Sequence, residues 1–294
     1  MLTIMGATGN IGSKLADLLL TRDQSVKVIG RSAERLQSFV ERGATAAVGN
    51  AGDADFLASA FSGSAAIFTM IPPNYAAPDN RKYQNEMGQS IATAIEQSGV
   101  SHVVNLSSHG AHLPDKTGPI KGLRDQEQRL NQLDAVNILH LRPTFFMENT
   151  LMNIEMIKNM GINGGHIRGD VPFAMIATRD IAQVAAEQMI ERGFLGKSFR
   201  ELLGPRDLSL DEATRIIGEK IGKPDLGYVY FEREEYIEGL VQMGVSQDMA
   251  EQLVELDAAL NERLFGSVEP RTDDNRTPTD FTQFADFFAQ VYQS

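Results

Sequence analysis

The stretch Gly6-Ala7-Thr8-Gly9-Asn10-Ile11-Gly12 separates a short apolar run, Leu2–Met5, from an amphipathic stretch, Ile11–Thr21. A strand, a glycine-rich turn and a helix in this order are typical of the first unit of a dinucleotide-binding sheet. There the first glycine permits the tight turn, the second lets the backbone approach a pyrophosphate, and the third lets the helix pack closely on the strand. Free N–H groups at the helix N-terminus attract phosphate. We therefore predict a dinucleotide contact at Gly6, Thr8, Gly9, Asn10, Ile11 and Gly12, with a glycine-rich turn that binds nothing as the alternative.

The rest of the first half alternates short apolar runs with longer amphipathic stretches. This alternation predicts βαβ units, and uninterrupted apolar runs are typical of strands that are buried on both faces. The sequence thus favours an α/β fold with a Rossmann-type, doubly wound parallel sheet. The predicted strands are Leu2–Met5, Val26–Gly30, Ala44–Val48, Ala65–Met70, Val103–Leu106 and Asn137–Leu141, and the helices between them are Ile11–Thr21, Ala33–Arg42, Asp53–Phe61, Asn80–Gln97 and Gln126–Leu133.

The alternation ends after residue 148, and helical patterns dominate the second half. We predict an NAD(P)-binding domain over residues 1–148 and a smaller, mostly helical substrate lobe over 149–294. Residues 173–197 are expected to pack back onto the first domain. The helical patterns in the second half are Thr178–Glu191, Ser209–Ile221, Asp248–Leu264 and Phe281–Tyr292.

Charge and composition exclude several classes of function. Of the 294 residues, 27 are Lys or Arg and 39 are Asp or Glu, a net charge of −12. Residues 1–150 hold 13 basic and 14 acidic side chains, so the remaining 14 basic and 25 acidic ones place the excess in the second half. No basic cluster is present, so a nucleic-acid partner is not expected. The absence of Cys excludes disulfides, zinc–thiolate sites and a thiol nucleophile.

No targeting signal is visible, and no apolar run approaches the roughly 18 residues of a membrane span. The sequence therefore predicts a cytoplasmic protein without a membrane partner, and it leaves the oligomeric state open. His109 and His112 are spaced by three residues, but no carboxylate pattern accompanies them. We accordingly expect no metal site.

The tip of the second predicted strand carries a signal for cofactor choice. NAD-binding units usually place Asp or Glu there, to accept hydrogen bonds from the ribose 2′-hydroxyl. This chain has Gly30-Arg31-Ser32, with Arg35 one helical turn further on. A guanidinium pairs with a 2′-phosphate that a carboxylate would repel. We predict that NADP(H) is preferred over NAD(H) through Arg31, and the alternative is that Arg31 is a solvated surface charge.

Several stretches along the chain together match the pattern of a known family. They are the glycine turn with Gly30-Arg31-Ser32, then Ser98-Gly99-Val100-Ser101-His102-Val103-Val104-Asn105-Leu106-Ser107-Ser108, Leu141-Arg142-Pro143-Thr144-Phe145-Phe146-Met147-Glu148-Asn149, Thr178-Arg179-Asp180-Ile181-Ala182 and Arg276-Thr277-Pro278-Thr279-Asp280-Phe281. By these stretches the chain resembles the NmrA-like, atypical branch of the short-chain dehydrogenase/reductase superfamily. This resemblance implies an NADPH-dependent quinone or azo reductase, or an NADPH-binding regulator without turnover.

One departure from the wider superfamily bears on the chemistry. Members that use acid–base catalysis carry Tyr-x-x-x-Lys after the fifth strand, whereas none of the six Tyr here has Lys four residues later. Counted back from Arg142, the pair would fall near Ile120 and Arg124, and neither side chain shuttles protons. Epimerase, dehydratase and ordinary alcohol dehydrogenase chemistry are therefore disfavoured. The leading hypothesis is hydride transfer from NADPH to a quinone-like small molecule, and the alternative is a non-catalytic NADP(H) sensor.

Further candidates follow from the same resemblance and from their places after predicted strands. Lys121 is the local candidate for a lone catalytic Lys, with a flexible surface residue as the alternative. Ser107 and Ser108 either bind ribose or substrate or cap the loop. The remaining candidates are Asn50 near the adenine, Met70, Ile71 and Pro72 beside the nicotinamide-side ribose, and Phe145, Phe146, Met147 and Asn149, which either line an apolar substrate pocket or pack between the lobes.

Overall fold

The computed structural model describes residues 1–294, and strands alternate with helices through the first half. All six predicted strands are present, each within two residues of its predicted bounds. The elements are β1 (Leu2–Ile4), α1 (Asn10–Thr21), β2 (Val26–Gly30), α2 (Ala33–Glu41), β3 (Thr45–Val48), α3 (Ala54–Phe61), β4 (Ala66–Thr69), α4 (Asn80–Ser98), β5 (His102–Leu106), α5 (Ile120–Asn131) and β6 (Asn137–Pro143).

The second half holds six helices and six short strands. A 3-10 segment, Met147–Asn153, leads from the first half into it. The elements of the second half are β7 (Phe145–Phe146), α6 (Ile154–Met160), β8 (Asn163–Gly165), β9 (Phe173–Ile176), α7 (Thr178–Glu191), β10 (Lys197–Leu202), β11 (Asp207–Leu208), α8 (Leu210–Lys220), β12 (Tyr228–Tyr230), α9 (Arg233–Gln242), α10 (Gln247–Asn261) and α11 (Phe281–Gln293).

Seven parallel strands form the main sheet in the order β10-β6-β5-β4-β1-β2-β3. The strand order reverses between β1 and β4, where Thr3 lies beside Ile67 on one side and Lys27 on the other. This switch point opens a crevice at the carboxyl edge of the sheet, where ligands bind in open α/β folds. The predicted Rossmann-type fold is confirmed.

Helices cover both faces of this sheet and bury two apolar layers. On one face α7 packs against α1, and Leu15, Leu19 and Ala185 are fully buried between helix and sheet. On the other face α3, α4 and α5 cover a second layer that includes Leu57, Phe61 and Ile95. No helix is both long and apolar enough to span a membrane.

The strand β10, which is not among the six predicted strands, adds a seventh strand to the main sheet beside β6. Its sequence, Lys-Ser-Phe-Arg-Glu-Leu, lacks the apolar run by which the other strands were predicted. Glu201 and Phe199 lie on the same side of the sheet as Arg142, whereas Leu202, on the other side, belongs to an apolar layer.

The start of α5 also differs from the prediction of Gln126–Leu133. The helix begins at Ile120, directly after Pro119, whose φ of −66° suits a helix start. Gly122 lies in the first turn of this helix. A Cβ at this position would fall 2.0 Å from Oε1 of Gln84 on α4, so the close approach of the two helices favours glycine. This glycine marks close helix packing, although by sequence alone it resembles a loop residue.

A separate lobe stands over the carboxyl edge of the main sheet. Its core joins α8 and α11 through residues such as Ile217, Phe284 and Phe288. Two small sheets, β11-β9-β7 and β12-β8, connect this lobe to the end of β6. Residues 173–197 contribute to both parts, since β9 belongs to a small sheet while α7 packs on α1.

Candidate active site

A cleft of about 990 Å³ runs along the carboxyl edge of the sheet, between the sheet and the lobe above it. It begins at the glycine turn and ends beneath α10. The predicted site residues that line it are Gly6, Gly9, Asn10, Ile11, Gly12, Met70, Ile71, Pro72, Ser107, Phe145, Phe146 and Asn149.

The glycine turn is shaped by close backbone contacts. Gly6 has φ +66°, a left-handed conformation that favours glycine, and its carbonyl accepts a hydrogen bond from the Gly9 N–H at 2.9 Å. A Cβ on Gly12 would lie 2.1 Å from the Gly6 oxygen. Gly12 therefore has to lack a side chain for α1 to pack on the turn.

The N-terminus of α1 is open toward the cleft. Gly9 caps the helix and offers no side-chain acceptor, so the first N–H groups are free to bind another acceptor. Free N–H groups and the positive end of the helix dipole together attract phosphate. A dinucleotide pyrophosphate thus fits the chemistry of this turn.

Two arginines lie beyond the turn, on the side of β2. Arg31 follows β2 and is exposed, and its side chain forms no ion pair. Ser32 caps α2 by accepting the Arg35 N–H at 3.4 Å. The Arg35 guanidinium approaches the Thr8 carbonyl at 3.5 Å. Two cations therefore stand beside the open end of the glycine turn, although Arg31 and Thr8 are not among the residues lining the cleft.

Asn50 lies outside the cleft, after β3. Its Oδ1 accepts the Gly52 N–H at 3.0 Å, and the Asn50 carbonyl accepts the Asp53 N–H. The side chain is exposed and shapes the turn into α3. Its amide nitrogen forms no hydrogen bond within the chain.

Lys121 faces away from the cleft. Its Nζ lies 2.9 Å and 3.1 Å from the two carboxylate oxygens of Glu255, so it joins α5 to α10. The preceding residue, Ile120, is the one that lines the cleft, at the place where the superfamily pattern would put a Tyr. The structure thus presents an alkyl side chain to the cleft at this point.

The end of β5 brings polar residues into the cleft. Ser107, Ser108 and His109 all line it. Ser107 is 4% exposed, and its N–H donates to the Leu141 carbonyl at 2.8 Å. The Ser108 hydroxyl donates to the His109 carbonyl at 3.0 Å. The carboxyl end of this strand therefore offers both hydroxyls and an imidazole.

His109 is paired with a carboxylate that sequence analysis did not identify. Its Nδ1 lies 3.2 Å from Oε1 of Glu201, a fully buried side chain on β10. Burial alone would raise the pKa of Glu201, but hydrogen bonds from the His109 ring and from the N–H groups of Val268 and Glu269 hold it below its ordinary value. Glu201 is thus a buried carboxylate behind the cleft wall.

A second buried ion pair lies beside this one. Arg142 donates to both oxygens of Glu127, at 2.9 Å and 2.5 Å, and its guanidinium stands 4.1 Å from the centre of the Phe199 ring. Burial opposes ionisation of Glu127, but the hydrogen bonds from Arg142 keep the pKa of that carboxyl below its usual range. Arg142 is therefore committed to Glu127.

Another polar cluster, also missed by sequence analysis, closes the site near the phosphate loop. Glu148 accepts the Thr178 N–H at 3.0 Å and the Thr178 hydroxyl, so it caps α7. Lys14 on α1 donates to the Thr178 hydroxyl at 3.0 Å and to the Asn10 carbonyl at 2.9 Å. This cluster ties α1, α7 and the 3-10 segment together beside the glycine turn.

The far wall of the cleft is apolar and aromatic. Phe145 and Phe173 meet edge to face, with ring centroids 5.3 Å apart. The helix α10 contributes one apolar face to this wall. The periodicity of its apolar residues predicts a helix but does not indicate that the helix lines a cleft. The further apolar residues of this wall are Met249, Leu253, Leu256, Leu260 and Phe265. Such a wall suits a flat, conjugated ligand.

Comparison with known proteins agrees with this arrangement. The chain is 28% identical to an NAD(P)H azoreductase from Xenophilus azovorans, over 88% of this chain and 86% of that protein. The triphenylmethane reductase of Citrobacter sp. has the same fold, with a TM-score of 0.80 and 18% identity over 100% of this chain and 99% of that one. The NADPH-dependent quinone oxidoreductase of Escherichia coli, solved with NADPH, superposes with a TM-score of 0.76 and 20% identity, over 98% and 99% of the two chains. The model of the NmrA-like family matches residues 1–288, and the chain belongs to that family.

Proposed function

We propose that this protein is an NADPH-dependent oxidoreductase that reduces flat, quinone-like small molecules by direct hydride transfer. The observation that carries this proposal is the single continuous cleft, which joins a phosphate-binding turn at one end to an aromatic wall at the other. The azoreductase and quinone oxidoreductase named above act on conjugated acceptors by their names, which supports the same substrate class.

The cofactor would lie across the carboxyl edge of the sheet. The N–H groups of the glycine turn would hold its pyrophosphate, and Met70, Ile71 and Pro72 would flank its nicotinamide-side ribose. When bound, a nicotinamide supplies a hydride, so the protein has to orient the acceptor and exclude water. Phe145 and the α10 face would do both.

Preference for NADP(H) rests on the charges beside β2. Arg31 has no acidic partner, and Arg35 lies within reach of the Thr8 carbonyl. We expect Arg31→Gln to weaken NADPH binding about tenfold, roughly 1.4 kcal/mol, and to leave NADH binding unchanged. A fluorescence titration of each cofactor measures this, with Arg215→Gln on α8 as a matched surface control. Equal affinities of the natural protein for NADH and NADPH would reject the preference.

The reaction itself is tested by steady-state oxidation of NADPH with a panel of quinones. We expect turnover with two-ring quinones, which fill the space between Phe145 and α10, and less turnover with aliphatic ketones. Phe145→Ala should raise KM for quinones several-fold, because it removes the aromatic wall, and should leave the dissociation constant of NADPH unchanged. No oxidation above background with any quinone would remove the proposal.

A second function is favoured by one specific observation. Ile120 stands where the superfamily pattern has a proton-donating Tyr, and Lys121 is bound to Glu255. An NADP(H) sensor without turnover would need neither residue in the cleft. This alternative predicts NADPH binding without consumption by any acceptor, together with a protein partner that is retained on immobilised protein only when NADPH is present or only when it is absent.

A further inference from the structure

Reduction of a quinone requires a proton as well as a hydride, and the cleft has to supply it. Four ionisable side chains line the cleft: Tyr75, His109, Asp207 and Arg263. Asp207 is held by an ion pair with Arg271. A guanidinium does not release its proton in proteins, and burial raises the pKa of Tyr75 above its ordinary value. His109 is the remaining ionisable side chain of the cleft, and an imidazole is the group that proteins use most often as a general acid.

The two ring nitrogens of His109 have different surroundings. Nδ1 faces the buried Glu201 carboxylate at 3.2 Å, which fixes the ring and its orientation. Nε2 lies 3.5 Å from the carbonyl oxygen of Phe265, itself a cleft residue. This distance is at the long limit for a hydrogen bond. Within the protein, Nε2 thus makes only this one long contact, beside a residue that lines the cleft.

The ionisable groups around the His109 ring leave Glu201 without another basic partner. Glu201 on β10 is fully buried, and a buried carboxylate without a cation is strongly destabilising. Arg142 on β6 is already paired with both oxygens of Glu127 on α5. The remaining neighbour is His112, whose ring centroid lies 6.4 Å from that of His109. Burial and the nearby His109 lower the pKa of His112, so it stays neutral. His109 is left as the basic side chain beside Glu201, with Nδ1 3.2 Å from its Oε1.

We propose that His109 is the proton donor of the reaction, acting through Nε2, and that Glu201 is its positioning residue. This inference rests on the proposed function. The quinone gains a hydride with its electron pair from NADPH and becomes an oxyanion. The Nε2–H bond of the imidazolium then breaks, its proton forms the O–H bond of the hydroquinone, and the neutral imidazole regains a proton from the bulk solvent, which supplies the one proton that the reaction consumes. The sum is NADPH, a proton and a quinone converted to NADP⁺ and a hydroquinone.

The pH dependence of quinone reduction tests the donor. We expect kcat of the natural protein to fall as the pH rises, because the donor has to carry a proton. His109→Gln should lower kcat about 100-fold and remove that descending limb, while the dissociation constant of NADPH is unchanged. Glu201→Gln should move the limb to lower pH, because the carboxylate that stabilises the cation is lost. His112→Gln, on the same loop but outside the cleft, should keep the natural profile.

A hydride acceptor that needs no proton separates proton donation from a structural role. A cationic triarylmethane dye becomes neutral on gaining a hydride, so its reduction involves no proton. His109→Gln should leave turnover of such a dye within about threefold of the natural protein, well below the effect expected for loss of general acid catalysis. Equal losses with quinone and dye would overturn the proposal. If the natural protein does not accept the dye, retention of the descending limb in His109→Gln overturns it instead.

A binding measurement is independent of turnover. The anion of 2-hydroxy-1,4-naphthoquinone is coloured and carries an oxyanion on a quinone ring, so its absorbance reports binding to the full chain with NADP⁺. We expect His109→Gln to weaken this binding about tenfold and His112→Gln to leave it unchanged. If no acceptor is reduced, the proposed function fails, whereas unchanged binding in His109→Gln shows that the imidazolium does not face the ligand.

Discussion

The two ends of the cleft are built in different ways. The phosphate end comes from one continuous segment, residues 6–12, and presents backbone N–H groups. The acceptor end is made of side chains from the loop after β5, from β7 and from α10, which lie far apart in sequence; His109 and Leu260, for example, are 151 positions apart. A local segment is thus sufficient to hold a group common to all dinucleotides, whereas the choice of acceptor depends on how distant elements pack.

Because the phosphate end is formed by closely packed backbone, we predict that it does not tolerate an added side-chain atom at Gly12. Gly12→Ala places a Cβ 2.1 Å from the Gly6 oxygen, so the turn has to shift. We expect NADPH to bind at least 100-fold more weakly, roughly 3 kcal/mol, as measured by calorimetry. Gly239→Ala on α9, where nothing lies within 4 Å of the new Cβ, should instead stabilise the fold by up to about 1 kcal/mol. Unchanged cofactor affinity in Gly12→Ala would show that the turn does not grip the pyrophosphate.

Behind the acceptor end, stability depends on a buried ion pair. Glu127→Gln leaves the Arg142 guanidinium without its carboxylate among residues that are less than a tenth exposed. We expect a loss of about 3 kcal/mol in the free energy of unfolding, measured by urea denaturation. Asp125→Asn on the same helix breaks the exposed pair with Arg81 and should cost less than about 1 kcal/mol. Similar losses in the two variants would contradict this account of the acceptor end.

The same region should be sensitive to acid. His140 on β6 accepts from the Asn105 amide at Nδ1 and donates to the Asn131 carbonyl oxygen from Nε2, so both nitrogens are satisfied in the neutral form. Burial lowers the pKa of His140 to about 4, below the unfolded value near 6.5. The unfolded chain therefore binds more protons between these values, and stability falls as the pH drops from 6.5 toward 4.

The contribution of His140 to this loss should approach about 3 kcal/mol. Urea denaturation of the natural protein and of His140→Gln, compared at pH 7 and pH 4.5, separates the contribution of His140 from other effects of acid on stability. We expect the stability difference between the two proteins to shrink or reverse at the lower pH. A difference that does not depend on pH would contradict the buried, neutral imidazole.

The smallest effect is expected at Lys121, which lies near the acceptor end without lining it. Lys121→Gln breaks a partly exposed ion pair with Glu255 and should change stability by less than about 1 kcal/mol. Quinone turnover should remain within twofold, as measured by NADPH oxidation. A large loss of kcat would instead place the Lys121 ammonium in the chemistry and weaken the distinction between residues in the cleft and residues behind it.

Elements of the fold that have a local sequence pattern could be predicted, whereas elements that depend on distant neighbours could not. Strands β1 to β6 were predicted because each is an apolar run with turn residues at its ends. The strand β10 was missed because Arg200 and Glu201 interrupt its apolar pattern, and the start of α5 was missed because Gly122 resembles a loop residue. In both cases the residue type depends on a neighbour that is distant in sequence. In β10, Phe199 contacts Arg142 and Glu201 contacts His109, and in α5, Gly122 lies against Gln84.

Among the predicted site residues, those of the glycine turn and Phe145 and Phe146 after β6 line the cleft, and their roles there stay predictions. Glu201 and Glu148 were not, because a single carboxylate carries no local pattern. The pairing of Glu201 with His109 spans 92 positions, and that of Glu148 with Thr178 spans 30. From the sequence, His109 is a candidate only for a metal ligand, because no local pattern indicates that Glu201 is its partner.

By itself the sequence determined the parallel sheet, the open glycine turn after β1 and the cations that follow β2. These features depend on backbone geometry and on residues a few positions apart, which hydrophobic periodicity and glycine spacing record directly. Only the tertiary structure decided which ionisable groups meet at the acceptor end, because burial and charge pairing depend on distances between elements far apart in the chain. The chemistry of the cleft is therefore a property of packing, whereas its nucleotide-binding end is a property of one segment.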